Sequence, residues 1–171
     1  MNDFIFRNTE INLGIILPSD IHLQLLAFCE SSYPLETGGV IIGNYSLDYK
    51  WANVTRVLGP QRYSRHNRSS FFRSNHNIKS ILDKEWALGN YYLGEWHYHP
   101  DSTPAPSHVD INQMKVFAKN KQLNCSEPVL LIIGGSMDHW SISASIFYGR
   151  IFPLYISSDT QKNLSPDIDI L

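Results

Sequence analysis

The stretch from Gly94 to Asp110 constrains the fold of this chain more than any other part of it. It opens with residues typical of a strand, and Pro100 ends that strand. Pro104 and Pro106 follow soon after. Each proline fixes its own φ and steers the residue before it towards an extended conformation, so this connector is stiff. Ser107 then lies where the N-cap of a helix belongs. The sequence therefore predicts a strand that is joined by a rigid connector to the first turn of a helix.

Helical and strand-like patterns alternate along the chain, which indicates the fold class. Apolar residues recur at helical spacing in three segments, 20–33, 77–88 and 107–119, and Ser19 is the expected N-cap of the first. Shorter apolar runs between turn residues predict about six strands, at 40–43, 50–58, 91–99, 129–133, 140–147 and 151–156. Helices interleaved with strands in this way indicate a mixed domain of the α/β or α+β class.

The chain is 171 residues long, the size of one domain, and we expect a single domain over residues 1–171. Residues 61–77 differ from the rest because they contain no acidic residue and four arginines, Arg62, Arg65, Arg68 and Arg73. Two interpretations of this basic loop or insertion stay open: a solvated loop, and a lip that meets an acidic or carboxylate-bearing partner. Residues 157–171 are polar, and we expect a flexible tail there.

Charge and hydropathy narrow the classes of partner. Lys and Arg total 14 and Asp and Glu total 16, and this formal net charge of -2 argues against a nucleic-acid-binding protein, which would usually be basic. The longest apolar run, Val129–Ile133, is far shorter than the ~20 residues that span a bilayer, and the N-terminus lacks the pattern of a secretory signal. We therefore expect a cytoplasmic protein with no membrane partner.

The two cysteines, Cys29 and Cys125, lie in or beside apolar stretches, so we expect reduced thiols. A thiol peptidase that uses either of them is a poor alternative.

His97 and His99 are the strongest candidates for metal ligands. Residues two apart on a strand share a face, so both imidazoles can reach one metal ion. A carboxylate in the first turn of the following helix points back towards the strand end, which makes Asp110 a candidate third ligand. Three protein ligands and one open position are the arrangement of a catalytic zinc site, whereas a structural site has four protein ligands.

Two residues beside these ligands have more than one interpretation. Ser107 and Asp110 have the spacing of a capping box, which explains the pair without any chemistry. Glu95 is on the same strand face as the histidines, where it could act as a general base or hold a ligand histidine by a hydrogen bond. It could equally lie at the surface or in a salt bridge. Spacing alone leaves these alternatives open.

The motif resembles the signature of a known enzyme family. His97-x-His99-Pro100, followed by Ser107-x-x-Asp110, is similar to the pattern of the JAMM metallopeptidases, which are also called JAB or MPN-plus domains. The agreement of several positions at fixed spacing makes this resemblance specific.

Two further stretches extend the resemblance. Glu36, which precedes the glycine-bearing apolar stretch Thr37–Gly43, resembles the upstream glutamate of that family. The stretch Gly94–Pro100 is most similar to bacterial JAB proteins. Those proteins accompany ubiquitin-like conjugation or antiphage signalling systems, including systems built on the cyclic-nucleotide synthases called CD-NTases.

The resemblance implies a zinc-dependent peptidase that cleaves the bond after the C-terminus of a ubiquitin-like protein, in deconjugation or in precursor processing. One Zn²⁺ per chain would be held by His97, His99 and Asp110, with Glu36 as the general base and Ser107 helping to bind the oxyanion. The implied fold is a curved mixed β-sheet flanked by helices, similar to the cytidine-deaminase architecture. The implied partners are a ubiquitin-like protein or its conjugate, and conjugating enzymes of the same operon.

Two alternative functions stay open beside this one. The substrate could be a sulfur-carrier protein joined to cysteine, which would make the chain a sulfur-carrier-protein hydrolase. The chain could also be a non-catalytic MPN scaffold, although the complete ligand set argues against that. Metal content and neighbouring genes would separate these alternatives.

Overall fold

The computed structural model describes residues 3–137 and 139–157. Its helices are α1 (Ser19–Ser32), α2 (Ile78–Ala87) and α3 (His108–Lys119), and none of these described helices is long and apolar enough to cross a bilayer. Its strands are β1 (Phe4–Asn8), β2 (Leu13–Leu17), β3 (Thr37–Tyr45), β4 (Trp51–Leu58), β5 (Arg65–His66), β6 (Phe71–Phe72), β7 (Tyr91–Pro100), β8 (Val129–Ser136), β9 (His139–Tyr148) and β10 (Arg150–Ile156). The mixed α/β or α+β class predicted from the sequence is confirmed.

Eight strands form a closed barrel in the order β1-β10-β9-β8-β7-β3-β4-β2. Neighbours run antiparallel except for the β2–β4 and β7–β8 pairs, which are parallel. The structure has ten strands where about six were expected, and the short strands β5 and β6, outside the barrel, were not predicted. Within the barrel, the two strands that were not predicted are β1 and β2. Each is only five residues long, and they close the barrel against β10 and β4, partners that lie far along the chain. A run of five residues is too short to indicate a strand by its pattern, and it does not indicate which distant strand it will pair with.

The helices pack on opposite faces of the β3–β7–β8 part of the barrel. On one face, Leu25 of α1 belongs to the same buried cluster as Trp96 and Tyr98 of β7. On the other face, Met114 of α3 packs in a cluster with Ile132 of β8. Strands buried on both faces are apolar throughout rather than alternating, which explains the continuous apolar run of β8.

Residues 61–77 are more ordered than the loop expected there, because β5 and β6 pair within them as a two-stranded ribbon. The ribbon is separate from the barrel sheet. The tail expected at 157–171 lies outside the described residues apart from Ser157. The Ser157 N–H donates a hydrogen bond to the Ile5 carbonyl oxygen at 2.8 Å.

The start of α1 differs from the expected one. The N-cap residue is Pro18, and Ser19 is the first residue of the helix. The N–H of Ser19 donates instead to Oδ1 of Asp3 at 2.9 Å. A distant carboxylate thus accepts the first N–H of the helix, one of the terminal donors that have no partner within the helix.

Candidate metal centre

Strand β7 presents two histidines on one face and two large aromatic side chains on the other. Trp96 and Tyr98 are fully buried in the core, and the indole N–H of Trp96 donates to the Leu58 carbonyl oxygen at 2.9 Å. Because side chains alternate along a strand, burial of these two rings turns His97 and His99 to the face that carries α3. The candidate site is therefore built on two histidines of a strand whose opposite face packs in the core.

Helix α3 brings the third side chain to these histidines. It opens with the capping box: Oγ of Ser107 accepts the Asp110 N–H at 3.2 Å, and Oδ2 of Asp110 accepts the Ser107 N–H at 2.7 Å. Oδ1 of the same carboxylate is 2.6 Å from Nδ1 of His97, and Oδ2 is 3.6 Å from Nε2 of His99. The capping geometry and the proximity to both histidines are thus properties of one carboxylate.

These three side chains have the donor chemistry of a metal site. Their ligand atoms lie within 4.8 Å of one another. Burial lowers the pKa of His99, so its imidazole is neutral at pH 7. Burial alone would raise the pKa of Asp110, but hydrogen bonds and charge from His97, together with hydrogen bonds from Ser107, lower it to about 2. A neutral imidazole and a carboxylate anion are the protonation states that bind metal, so the residues fit a divalent cation.

Glu36 lies immediately before β3, on the same face as the histidines. Gly38 pairs with His97 in the antiparallel β3–β7 register, and residues two apart share a face. Glu36 and the three candidate ligands line one cavity of about 460 Å³. Burial raises the pKa of Glu36, while the charge of His97 lowers it and that of Asp110 raises it again. The position of Glu36 beside the candidate ligands makes it a candidate general base.

Ser107 lines the same cavity as Glu36 and the candidate ligands. Its oxygen accepts the Asp110 N–H in the capping box. A hydroxyl group that accepts one hydrogen bond still has its own proton to donate. Ser107 can therefore cap α3 and donate a hydrogen bond into the cavity at the same time.

Comparison with known proteins identifies the family. The family described as prokaryotic homologs of the JAB domain matches residues 18–143, a stretch that holds every candidate site residue. The chain belongs to the prokaryotic JAB family. The resemblance seen in the sequence is therefore confirmed at the level of the family, and family membership supports hydrolase activity.

Two relatives of this JAB domain carry the name CD-NTase/cGAS isopeptidase. The protein from Enterobacter hormaechei subsp. hoffmannii (strain UCI 50) is 33% identical over 147 residues, which cover 85% of this chain and 82% of the relative. The protein from Escherichia coli (strain TW11681) is 26% identical over 144 residues, which cover 82% of this chain and 87% of the relative. Both relatives therefore match over most of their length.

A solved structure shares the fold of this JAB domain. The solution structure of a protein from Desulfitobacterium hafniense superposes with a TM-score of 0.59 at 19% sequence identity. The match covers 79% of this chain and 86% of that protein. At this identity the likeness concerns the fold alone.

The β5–β6 ribbon of this JAB domain holds the main chain of Glu36. The Glu36 N–H donates to the Asn67 carbonyl oxygen at 2.8 Å, and Nδ1 of His66 lies 2.9 Å from the Glu36 carbonyl oxygen. Because a carbonyl oxygen only accepts, Nδ1 of His66 carries the proton. Sequence reasoning missed both residues, since a hydrogen bond between positions 30 residues apart has no motif to indicate it.

The four arginines of residues 61–77 have different surroundings. Arg62 and Arg65 lie over aromatic rings at exposed positions, with guanidinium carbons 5.0 and 4.9 Å from the ring centroids. Arg68 lines the cavity of the metal centre. Arg73 is turned inwards and binds Glu95. Of the four, Arg68 is the one placed to contact a ligand in the cavity.

Glu95 is 2% exposed, and both of its carboxylate oxygens have partners. Nε and Nη2 of Arg73 donate to Oε2 and Oε1 at 2.8 and 3.0 Å, and the Tyr92 hydroxyl donates to Oε1 at 2.9 Å. Burial raises the pKa of Glu95, and the charge of Arg73 and the hydrogen bond from Tyr92 oppose that rise. This geometry matches the salt-bridge alternative for Glu95, and the salt bridge is buried. Sequence reasoning did not find Tyr92 as a partner.

The two cysteines are free and buried, as the sequence predicts. Burial raises the pKa of Cys29 and raises the pKa of Cys125 to about 11. A thiol that stays protonated at neutral pH is a poor nucleophile. These surroundings disfavour the thiol-peptidase alternative.

Breaking the Arg73–Glu95 pair should destabilise the fold. Arg73→Ala is expected to lower the free energy of unfolding by about 3 kcal/mol, because it leaves the Glu95 carboxylate buried without its counter-charge. Arg65→Ala, a matched control at an exposed position, should change it by less than about 0.5 kcal/mol. Urea unfolding followed by tryptophan fluorescence measures both variants. Equal unfolding midpoints for the two variants would show that the pair contributes no stability.

Proposed function

We propose that this JAB domain is a zinc-dependent isopeptidase. The observation that carries the proposal is that His97, His99, Asp110 and Glu36 line one cavity. Two imidazoles and one carboxylate, with one position left for solvent or substrate, are a ligand set of catalytic zinc sites. When bound there, Zn²⁺ would act as a Lewis acid towards the scissile carbonyl and lower the pKa of a coordinated water to about 7.

Glu36 is the proposed general base and acid. It takes a proton as water adds to the carbonyl carbon, and it returns that proton to the leaving amine as the C–N bond breaks. The products are a free carboxyl group and a free amine, and no covalent enzyme intermediate is needed. The two hydrogen bonds between the β5–β6 ribbon and the Glu36 main chain limit how far this carboxylate can drift from the ligands.

Ser107 is the proposed donor to the oxyanion that forms on the scissile carbonyl. Its position at the N-cap of α3 is fixed by the capping box, so the hydroxyl group is already oriented before the substrate binds. A donor that is in place beforehand stabilises developing charge without reorganisation during the reaction. The loss of one such donor typically slows a reaction by about 100-fold or more.

The names of the two relatives indicate a class of substrate. Both carry the name CD-NTase/cGAS isopeptidase, which supports a role of this chain in a bacterial CD-NTase system. We propose in addition that this system is an antiphage system and that the chain acts in the cytoplasm. The bond cleaved would follow the C-terminus of a ubiquitin-like protein, or of the CD-NTase itself, joined to an amine of a target protein. Arg68 at the cavity is a candidate contact for a carboxylate near that bond.

Hydrolysis of defined conjugates tests this proposal. We expect the purified protein to release a reporter peptide joined through a lysine ε-amine to the C-terminus of either a ubiquitin-like protein or a CD-NTase from the same operon. Because catalysis requires the metal, a chelator should abolish release and added Zn²⁺ should restore it. Gel electrophoresis and mass spectrometry of the new termini measure the reaction.

Matched variants make the hydrolysis experiment specific. Glu36→Gln should keep one zinc per chain and lose turnover by at least about 100-fold, because the amide cannot carry the proton. Glu95→Gln should lower stability, because it leaves the Arg73 guanidinium without its counter-charge, but the folded protein should keep most of its activity. Release that survives the chelator contradicts the zinc proposal, and zinc-loaded protein that cleaves neither conjugate contradicts the isopeptidase proposal. The opposite ranking, measured on variants that circular dichroism shows to be folded, would show that Glu95 is the base.

Two substitutions of Ser107 separate its proposed role in the reaction from its role as a helix cap. Ser107→Ala should lose about 1 kcal/mol of stability and about 100-fold in rate, because both the cap and the donor are lost. Ser107→Gly should lose the same factor in rate but only a few tenths of a kcal/mol, since glycine is a tolerated N-cap. Reaction rates and unfolding midpoints measured on both variants check this. A rate for Ser107→Gly close to that of the unmodified protein would exclude the donor role.

A further inference from the structure

The β5–β6 ribbon has two faces with different chemistry. Side chains alternate along a strand, so neighbours on β5 and on β6 lie on opposite faces. The inner face carries His66, which lies 2.9 Å from the Glu36 carbonyl oxygen, and Phe71, which lies edge-on to the ring of a candidate ligand. Arg65 and Phe72 are therefore on the outer face, where they pair across the two strands and are both exposed.

Two arginines of the ribbon segment stack on exposed aromatic rings. The guanidinium carbon of Arg65 lies 4.9 Å from the centroid of the Phe72 ring. That of Arg62 lies 5.0 Å from the centroid of the Tyr63 ring. A guanidinium that stacks by its face keeps the N–H groups at its edge free for an acceptor. Stacking also orders the side chain before a partner arrives, which lowers the entropy cost of binding.

The arginines of this segment differ from the others because their N–H groups have no acceptor. Each of the other arginines that the structure describes donates a hydrogen bond to a side-chain oxygen: Arg7, Arg56, Arg73 and Arg150. Among the described residues, no hydrogen bond or ion pair involves Arg62, Arg65 or Arg68. Three cations so close in the chain repel one another, and no carboxylate of the described fold offsets them. Their charge is thus available to an anionic partner.

The place of these arginines in the fold indicates which partner they meet. Arg68 lies in the turn between β5 and β6 and lines the cavity of the candidate metal centre. Arg65 is on the strand that leads into this turn, and Arg62 precedes that strand. A protein whose C-terminal tail enters the cavity brings its folded body against the surface beside the cavity. Because the net charge of -2 argues against nucleic acid as the partner, carboxylates of that folded body are the anions that fit.

We propose that Arg62 and Arg65 bind an acidic surface on the folded body of the substrate protein, beside the tail that enters the cavity. The exposed rings of Tyr63 and Phe72 pack next to these ion pairs, and Arg68 continues the positive charge to the cavity. The two arginines bind substrate and touch none of the reacting atoms. The inference rests on the proposed isopeptidase function, and it names the part of the substrate that is recognised outside the cavity.

Kinetics on two reporters test this inference. The first reporter is the conjugate that the unmodified protein cleaves, and the second carries only the C-terminal tail of the same protein, without its folded body. The double variant Arg62→Glu/Arg65→Glu should lower kcat/KM for the full conjugate by about 10-fold with kcat unchanged, because two attracting cations become repelling anions. The same variant should cleave the tail reporter as the unmodified protein does.

A matched control and the ionic strength make the test specific. Lys84→Glu/Lys121→Glu makes the same change of charge at exposed positions outside the cavity, and it should cleave both reporters as the unmodified protein does. Raising the salt concentration from about 0.05 M to about 0.5 M should raise KM of the unmodified protein for the full conjugate severalfold, since salt screens exposed charges. KM of the arginine double variant should change far less.

The outcomes separate this inference from the proposed function. An unchanged kcat/KM in an arginine double variant that circular dichroism shows to be folded overturns the inference and leaves the proposed function intact. An equal loss on the tail reporter, or an equal loss in the lysine control, overturns it as well. So does an oligonucleotide that binds the unmodified protein but not the arginine variant, by fluorescence anisotropy, while cleavage is unchanged. An unmodified protein that cleaves neither reporter overturns both proposals.

Discussion

The carboxylate of Asp110 is the interaction on which the site depends. It accepts the N–H of the helix N-cap and lies 2.6 Å from one histidine and 3.6 Å from the other. Burial would raise its pKa, but the hydrogen bond and charge of His97 and the hydrogen bonds from Ser107 lower it to about 2, so the carboxylate is an anion at neutral pH. The start of α3 and the end of β7 are thus joined through one charged side chain. The remaining features of the site are arranged around this junction.

Three distant segments hold that junction in place. The core anchors β7 through Trp96 and Tyr98, so the histidines face α3. The β5–β6 ribbon holds the main chain of Glu36 from one side. Strands β8 and β9 support the connector from the other side, at Gly134 and Ser143. The barrel therefore acts as a rigid support, and the residues proposed for chemistry lie at its strand ends and on the helix that follows.

The parts of the site that could be predicted from the sequence are those whose geometry is set within one strand or one helix turn. The same-face histidines and the capping box follow from strand and helix periods, so spacing alone indicated them. Glu36 was found only through resemblance to a family, because its proximity to the histidines depends on the β3–β7 pairing. The partners of Glu36 and Glu95 escaped prediction because tertiary contacts create them. The same reason applies to β1 and β2, whose pairing closes the barrel.

X-ray absorption at the zinc edge tests the central claim most directly. The zinc-loaded protein should show a first shell of nitrogen and oxygen donors at roughly 2.0–2.1 Å, with the outer-shell scattering of two imidazoles. Asp110→Asn, which keeps the size of the side chain but removes its charge, should lose that shell or bind zinc far more weakly. A sulfur shell at about 2.3 Å, or an unchanged spectrum in Asp110→Asn, would contradict the assignment of this carboxylate as a ligand.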